Sequence, residues 1–424
     1  MKKVLLSIIL CATVPIWSQT TAIPDPNFEQ ALIDIGFDDV LDAQVDSEAI
    51  GSVLTLHLLD RGIQDLTGIE DFTSLTSLNV GMNNLQELDL SYNTSLEILW
   101  CYYNNLSTLN IENLTQLTRL GCQHNQLNEL DISAFSSLQT LDCSENQLES
   151  LLLPNASELI ILQCVGNELD ALEVSACSLL QTLDCSENKL ESLILPNTSE
   201  LKIVQCIGNE LDALDVTNLP TLQKLELSDN LFTEIDVSNN QFLNWFLCDS
   251  NRFSSIDVSQ NPYLETFHIG YQNTMNSIDL SQNPLLRWFS CGNSAITSLD
   301  LSSNANLQYF YCDSTKLLTC LNLKNGANQN LIDFNALDTP ELTCIQVDGG
   351  FSFTSLWGSY VDNAEMISSF CASDCTVGIS SLQNTSKKRV KIFDYMGRET
   401  TFKPNTALIY VYDDGSTEKV FSVE

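Results

Sequence analysis

A chain of 424 residues with 44% hydrophobic content is long enough to bury a large core as one domain or several. Its 55 acidic residues against 18 basic ones give a formal charge of −37. Such a surface repels nucleic acid and anionic lipid, which excludes a phosphate-binding role.

The N-terminus opens with Lys2 and Lys3, an apolar run from Val4 to Val14, and the small Ser18 before Gln19. The run is too short to span a bilayer and has the layout of a secretory leader, so residues 1–18 are expected to be cleaved. No other stretch is apolar enough to be a membrane helix, so a membrane span is not expected. Next comes "PDPNFEQALIDIG", which predicts a capping helix at about 26–36 within an N-terminal cap, 19–52. Asp25 would cap it, Pro26 suits its first turn and Gly36 would end it, with Phe28, Leu32 and Ile35 on one face.

From residue 53 a period appears. Leucine-like residues begin units at Val53, Leu75, Leu96, Leu117, Leu138, Leu159, Leu180, Leu201, Leu222, Leu243, Leu264, Leu286 and Leu307, in steps of 21 or 22. Each unit has apolar positions one, four, six, eleven and fourteen, and usually Asn at nine: Leu138, Leu141, Cys143, Asn146, Leu148 and Leu151. A period this short marks a solenoid, whose units bury their apolar faces only by stacking. The segment 138–179 recurs almost whole at 180–221, as a duplication of two units would leave it.

The phrase "LxxLxCxxNxLxxLDxSxN" resembles the leucine-rich repeat in its short bacterial, internalin-like form, over about residues 53–325. The resemblance implies a curved solenoid with a parallel strand from positions three to seven on the concave face. The convex side would be mostly loop, and Asn146 and its equivalents would bond backbone in the following turn.

Nine cysteines share position six: Cys101, Cys122, Cys143, Cys164, Cys185, Cys206, Cys248, Cys291 and Cys312. Leu227 and Ile269 take the same place, so the site accepts a hydrophobe. Parallel side chains one strand apart are also poorly spaced for a disulfide. These are read as buried free thiols filling the core, in preference to a disulfide or metal ladder. Cys177, on the convex half, is assigned no role.

Asp89, Asp131, Asp215, Asp236, Asp257 and Asp300 share position fifteen, and Asp279 joins them after a one-residue insertion. Stacked acids could hold divalent cations, which makes calcium the only candidate cofactor. The favoured reading is that Asp followed by Ser caps turn amides, since Asn110, Leu152, Glu173 and Ile194 interrupt the column. No metal ligand set is assigned.

Late concave positions turn aromatic: Trp245, Trp288 and Tyr309 at three, His268 and Tyr311 at five. A smaller cluster, Trp100, Tyr102 and Tyr103, stands early. Outward aromatics on a rigid sheet are candidates for a ligand-binding patch. The competing reading is that they cover one another or face the C-terminal cap.

The C-terminal cap, 326–377, carries Cys344, Cys371 and Cys375, with Cys320 just before it. In an exported chain these four are disulfide candidates with three connectivities, and the reading leans to Cys344 with Cys375. A zinc site is the alternative, but no His is near. The last 38 residues hold seven of the eighteen basic residues. Val390–Phe393, Leu408–Tyr412 and Val420–Val423 read as strands. "IFDYMGRET" and "LIYVYDDGSTEKVFSVE" resemble the C-terminal sorting module of the type IX secretion system, over 378–424. The resemblance implies the type IX machinery as a partner and a Gram-negative outer surface, or the medium, as the destination. The alternative is a small β cap with no sorting role.

His57, His124 and His268 lie in units far apart, and no HExxH, GxSxG, Walker or Rossmann phrase is present. No catalytic residue is assigned. The sequence therefore reads as a secreted or cell-surface binding protein, non-catalytic, recognising a protein or glycan through its concave face. The alternative is an acidic, cation-dependent adhesin or matrix component.

Overall fold

A computed structural model of the chain describes residues 19–154, 157–351 and 359–371. It also describes the backbone strands Arg389–Asp394, Ala407–Tyr412 and Thr417–Phe421, paired antiparallel in that order. The leader lies outside the described residues.

The repeats coil into a solenoid whose inner sheet has fourteen parallel strands, in unbroken neighbour order from Thr55–His57 to Asp333–Asn335. Every strand covers positions three to five, as in Thr140–Asp142. The resemblance implied strands reaching position seven. Inter-turn bonding does continue that far, with the Cys143 N–H donating to Gln163 O at 2.9 Å and the Glu145 N–H to Val165 O at 2.7 Å.

The chain turns at position eight, which has positive φ in every turn from Asp60 to Asp338. Only Gly166 and Gly208 are glycine there; Tyr103, His124 and Tyr271 hold the same left-handed conformation. For a side-chain-bearing residue this costs about 1–2 kcal/mol. The inter-turn bonds just described and the asparagine that follows offset that cost.

That asparagine column is the backbone's main fastener. In Asn146, Nδ2 donates to Cys122 O of the preceding turn and to Cys143 O and Ser144 O of its own, at 3.1–3.2 Å. Its Oδ1 accepts from the Leu127 N–H at 3.0 Å. Gln272, which stands in the column in place of Asn, reproduces its two bonds to the preceding turn. A second, convex column uses only the donor half of this pattern: Asn93 and, later in the array, Asn240, Asn261, Asn283 and Asn304 donate to carbonyls of the turns before them, while their Oδ1 atoms are buried without a partner. Cys177 and Phe135 stand at the matching place in earlier turns and are buried, so apolar filling replaces bonding there.

All nine position-six cysteines are buried free thiols, as is Cys177. Burial raises their pKa values, that of Cys101 to about 12, so each remains a neutral thiol at physiological pH. Several donate weakly across to the next turn, Cys185 Sγ to Gln205 O at 3.5 Å. From turn ten onward the position-four core residue becomes phenylalanine. Phe246, Phe267, Phe289, Phe310 and Phe334 run in file, neighbouring centroids 5.3–6.0 Å apart.

On the convex side, Asp89, Asp131, Asp215, Asp236, Asp257, Asp279 and Asp300 each accept the N–H two residues on at 2.9 Å. Hydrogen bonding by the side chains of Ser133 and Ser238, together with these backbone bonds, holds the carboxyls of Asp131 and Asp236 below the usual range. Among the described residues no group of three or more His, Cys, Asp or Glu is placed to hold a metal ion.

At the N-terminal end the helix is Pro26–Ile35. Asp25 Oδ1 caps Asn27 and Phe28, and Gly36 closes the helix at φ +87°. Phe28 and Leu32 are buried and Phe28 meets Phe72 at 6.3 Å, whereas Ile35 is exposed. The buried Glu29 accepts from the N–H groups of Asp42, Ala43 and Gln44, tying the following loop to the helix.

The C-terminal end departs from expectation in two ways. Coiling runs past residue 325: Asp333–Asn335 adds a fourteenth inner strand, and the outer strands Ser298–Asp300, Cys320–Asn322, Cys344–Gln346 and Ile367–Ser368 stack in parallel. These units are longer, and Phe334 continues the file of phenylalanines that begins at Phe246. Second, Cys344 pairs with Cys371, not with Cys375. The strand Ile367–Ser368 lies beside Cys344–Gln346, which brings Cys371 to a Cα–Cα distance of 5.9 Å. Cys320 is disulfide-bonded as well, and Cys375 lies outside the described residues. No described helix is long and apolar enough to cross a membrane.

Candidate recognition surface on the concave face

The alternation of the inner strands decides what faces outward. In Trp245–Leu247, Phe246 is fully buried while Trp245 and Leu247 are half-buried on the open face; Trp288–Ser290 and Tyr309–Tyr311 repeat the arrangement. Register places Trp245 beside Thr266, Thr266 beside Trp288, and Trp288 beside Tyr309. The small Thr266 leaves a gap between the two indoles. A cleft of about 340 Å³ opens there, lined by the three rings, Thr266, and the polar row Asn244, Glu265, Arg287 and Gln308.

Each ring is held. Trp245 Nε1 donates to Glu226 Oε1 at 2.8 Å, and Lys224 Nζ lies 5.6 Å from the ring centroid. Glu226 is almost fully buried yet well partnered: Gln205 donates to it at 2.7 Å and Lys224 pairs with it at 3.0 Å. Trp288 sits among His268 at 5.1 Å, Tyr309 at 5.5 Å and Tyr311 at 6.4 Å, all tilted or edge-on. The Tyr311 hydroxyl donates to Asp333 Oδ2 at 2.8 Å; burial, with that bond, pushes its pKa to about 12. In the polar row Arg287 meets Glu265 at 3.6 Å and Gln308 at 3.1 Å.

The early cluster is spent differently. Trp100 lies against the next turn's Gly121, where an added Cβ would fall 2.3 Å from the indole. Tyr102 lies against Gly81 in the same way, and Tyr103 stacks on His124 at 4.0 Å. Trp100, Tyr102 and Tyr103 thus cover backbone and one another, and the late turns keep the cleft.

A further row escaped sequence reasoning. Phe242, Tyr263 and Leu285 each precede a unit's first leucine by one residue and are exposed. Phe242 and Tyr263 stack at 6.0 Å. Earlier turns put Ser, Gln, Glu or Thr at this place, apart from the exposed Leu179, so three successive apolar residues here occur only at turns ten to twelve. The signal was readable, but it lies outside the strand columns.

His268 and Asp249 form a titrating pair behind the rings, 3.9 Å apart, with Glu226, Asp229 and Lys224 also near. Burial lowers His268 to about 4 and raises Asp249 to about 6. At pH 7 the histidine is neutral, so the approach is not an ion pair. Unfolded histidine takes a proton below 6.5, and the folded side chain does not until about 4. Its stabilising contribution is therefore lost as pH falls through that window. Asp249 works oppositely, because the cost of its buried charge is relieved as pH falls from about 6 to 3.8. Each shift corresponds to about 3 kcal/mol at most, and the two nearly cancel. Asp249→Asn is thus expected to be more stable than wild type at pH 7 by about 1–3 kcal/mol. That advantage should shrink below pH 6 and be nearly gone by pH 3.8, as followed by urea unfolding at several pH values; a pH-independent difference would contradict it.

The comparisons agree with this architecture. A family profile for the leucine-rich-repeat domain of the endo-β-N-acetylglucosaminidase EndoS matches residues 52–146. No curated protein matches the chain in sequence. Among solved structures, the functional domain of InlJ from Listeria monocytogenes, described as including a cysteine ladder, is 24% identical. That alignment covers 96% of this chain and 99% of InlJ's, with a TM-score of 0.71. An internalin, InlF, from the same organism is 18% identical over 80% of this chain and 100% of its own, TM-score 0.60. A leucine-rich-repeat protein from Leptospira interrogans is 20% identical over 72% and 85%, TM-score 0.57. The chain folds as a leucine-rich-repeat solenoid of the kind seen in bacterial internalins.

Proposed function

We propose that this is an exported, non-catalytic recognition protein that binds a protein or glycan ligand through turns ten to thirteen of its concave face. One observation carries the reading: three aromatic rings fixed in place by neighbours frame an open cleft on a phenylalanine-backed sheet. Rings already ordered before binding lose little entropy when a ligand covers them. The three histidines stand apart, on turns one, four and eleven. The leader-like residues 1–18 and the sorting-like tail fit export to a Gram-negative cell surface by the type IX machinery. Mass spectrometry of the exported protein would show which ends are removed.

Arrays of glycans and surface proteins, probed with wild type and with Trp245→Ala/Trp288→Ala, test the reading. Loss of the indoles is expected to weaken binding at least tenfold, about 1.4 kcal/mol. Equal binding by both proteins would retire it. The cation-dependent adhesin remains the second reading, since the convex aspartates are exposed. Because each already caps a turn amide, adding calcium or chelator is expected to leave the melting temperature unchanged.

A further inference from the structure

Resting on the recognition reading above, we propose that the cleft between Trp245 and Trp288 takes a neutral hexopyranose oligosaccharide. The lining is the first argument. Apart from Thr266 it consists of aromatic rings and planar or charged polar groups, with no aliphatic side chain. A protein hot spot wants a dry apolar centre with polar groups confined to the rim. Here the polar row runs through the cleft itself. A pyranose with equatorial hydroxyls has the matching shape: C–H groups on both faces, which pack on indole and phenol, and hydroxyls around the edge. Arg287 and Gln308 offer forked donors and acceptors at that edge, already aligned by their 3.1 Å bond.

Size and charge narrow the class. At about 340 Å³ the cleft lies at the small end of ligand sites, so it grips a short segment. The exposed stack of Phe242 and Tyr263 lies on the same turns, beyond the polar row, and offers a second aromatic surface, as a chain of sugars can use and a single sugar cannot. The formal charge of −37 opposes approach of sulfated or uronic chains, leaving neutral ones.

The experiment is titration of the full chain with cellohexaose and N-acetylchitohexaose, read by calorimetry and tryptophan emission, with heparin as the anionic probe. Saturable binding of at least one hexasaccharide is expected, weakened tenfold or more by Trp245→Ala or Trp288→Ala. Gln308→Ala, which removes no core packing, should weaken it several-fold, and Trp100→Ala should leave it unchanged. Unaltered melting curves would show that each variant is folded. Binding of heparin alone, or hexasaccharide binding indifferent to Trp245 and Trp288, would overturn the proposal. Silence with both hexasaccharides, beside an array protein whose binding the double variant loses, would overturn the sugar assignment and leave the recognition reading intact. Silence in every arm would remove both.

Discussion

Phe289→Ala should lower unfolding free energy by about 3–5 kcal/mol, the largest single-residue loss expected in the array. Phe289 is fully buried and packs between Phe267 at 6.0 Å and Phe310 at 5.9 Å, nearly parallel to the latter. Removing the ring opens a cavity in the middle of a file of rings that cannot collapse, since each neighbour is pinned to its own strand. The effect should also reach function, because Phe289 lies between Trp288 and Ser290 on the outward face. Phe289→Leu is the control: Leu225 fills the same position on turn nine, so that change should cost about 1.5 kcal/mol or less. Urea unfolding followed by circular dichroism measures both, and equal losses would show that the file of rings is not what supports this end.

Asn230→Ala is the second large effect, about 3 kcal/mol or more. Its Nδ2 donates to Cys206 O, Leu227 O and Ser228 O at 2.8–3.1 Å, and its Oδ1 accepts from the Leu211 N–H at 3.0 Å. Alanine leaves several buried backbone groups without their side-chain partner, each worth about 1–3 kcal/mol when unsatisfied. Asn230→Asp should be worse than alanine at neutral pH, since it keeps the acceptor but aims a charge at carbonyl oxygens. A smaller loss for Asp than for Ala would contradict the described bonding.

What the sequence made legible was whatever recurs. The columns at positions four, six and nine repeat often enough that their inward direction follows from period alone, and the interchange of Cys with Leu227 and Ile269 identified filler. Position eight stayed hidden because its left-handed backbone leaves no residue signature: glycine occurs there at Gly166 and Gly208, while Tyr103 and His124 accept the same conformation through inter-turn bonds. The fourteenth strand is not legible in the period because its unit begins at Leu331, 24 residues after Leu307, where earlier steps are 21 or 22. The pairing of Cys344 with Cys371 depends on Ile367–Ser368 stacking beside it, a long-range contact no spacing shows.

The candidate site was half legible. Its rings were visible as a column, but what distinguishes them lies in their neighbours: Glu226 orienting Trp245, Thr266 opening the gap, Gly121 taking up the face of Trp100. Glu226 looked like one more surface acid in an acidic chain, and only its burial beside Lys224 and Gln205 shows otherwise.

The most direct test of the account is amide hydrogen exchange with and without a ligand taken from the array. Concave recognition by the late turns predicts added protection centred on Trp245–Leu247, Thr266–His268, Trp288–Ser290 and Tyr309–Tyr311, with the convex aspartate turns and Ile98–Trp100 unchanged. Protection confined to the convex side, or to the early turns, would contradict it.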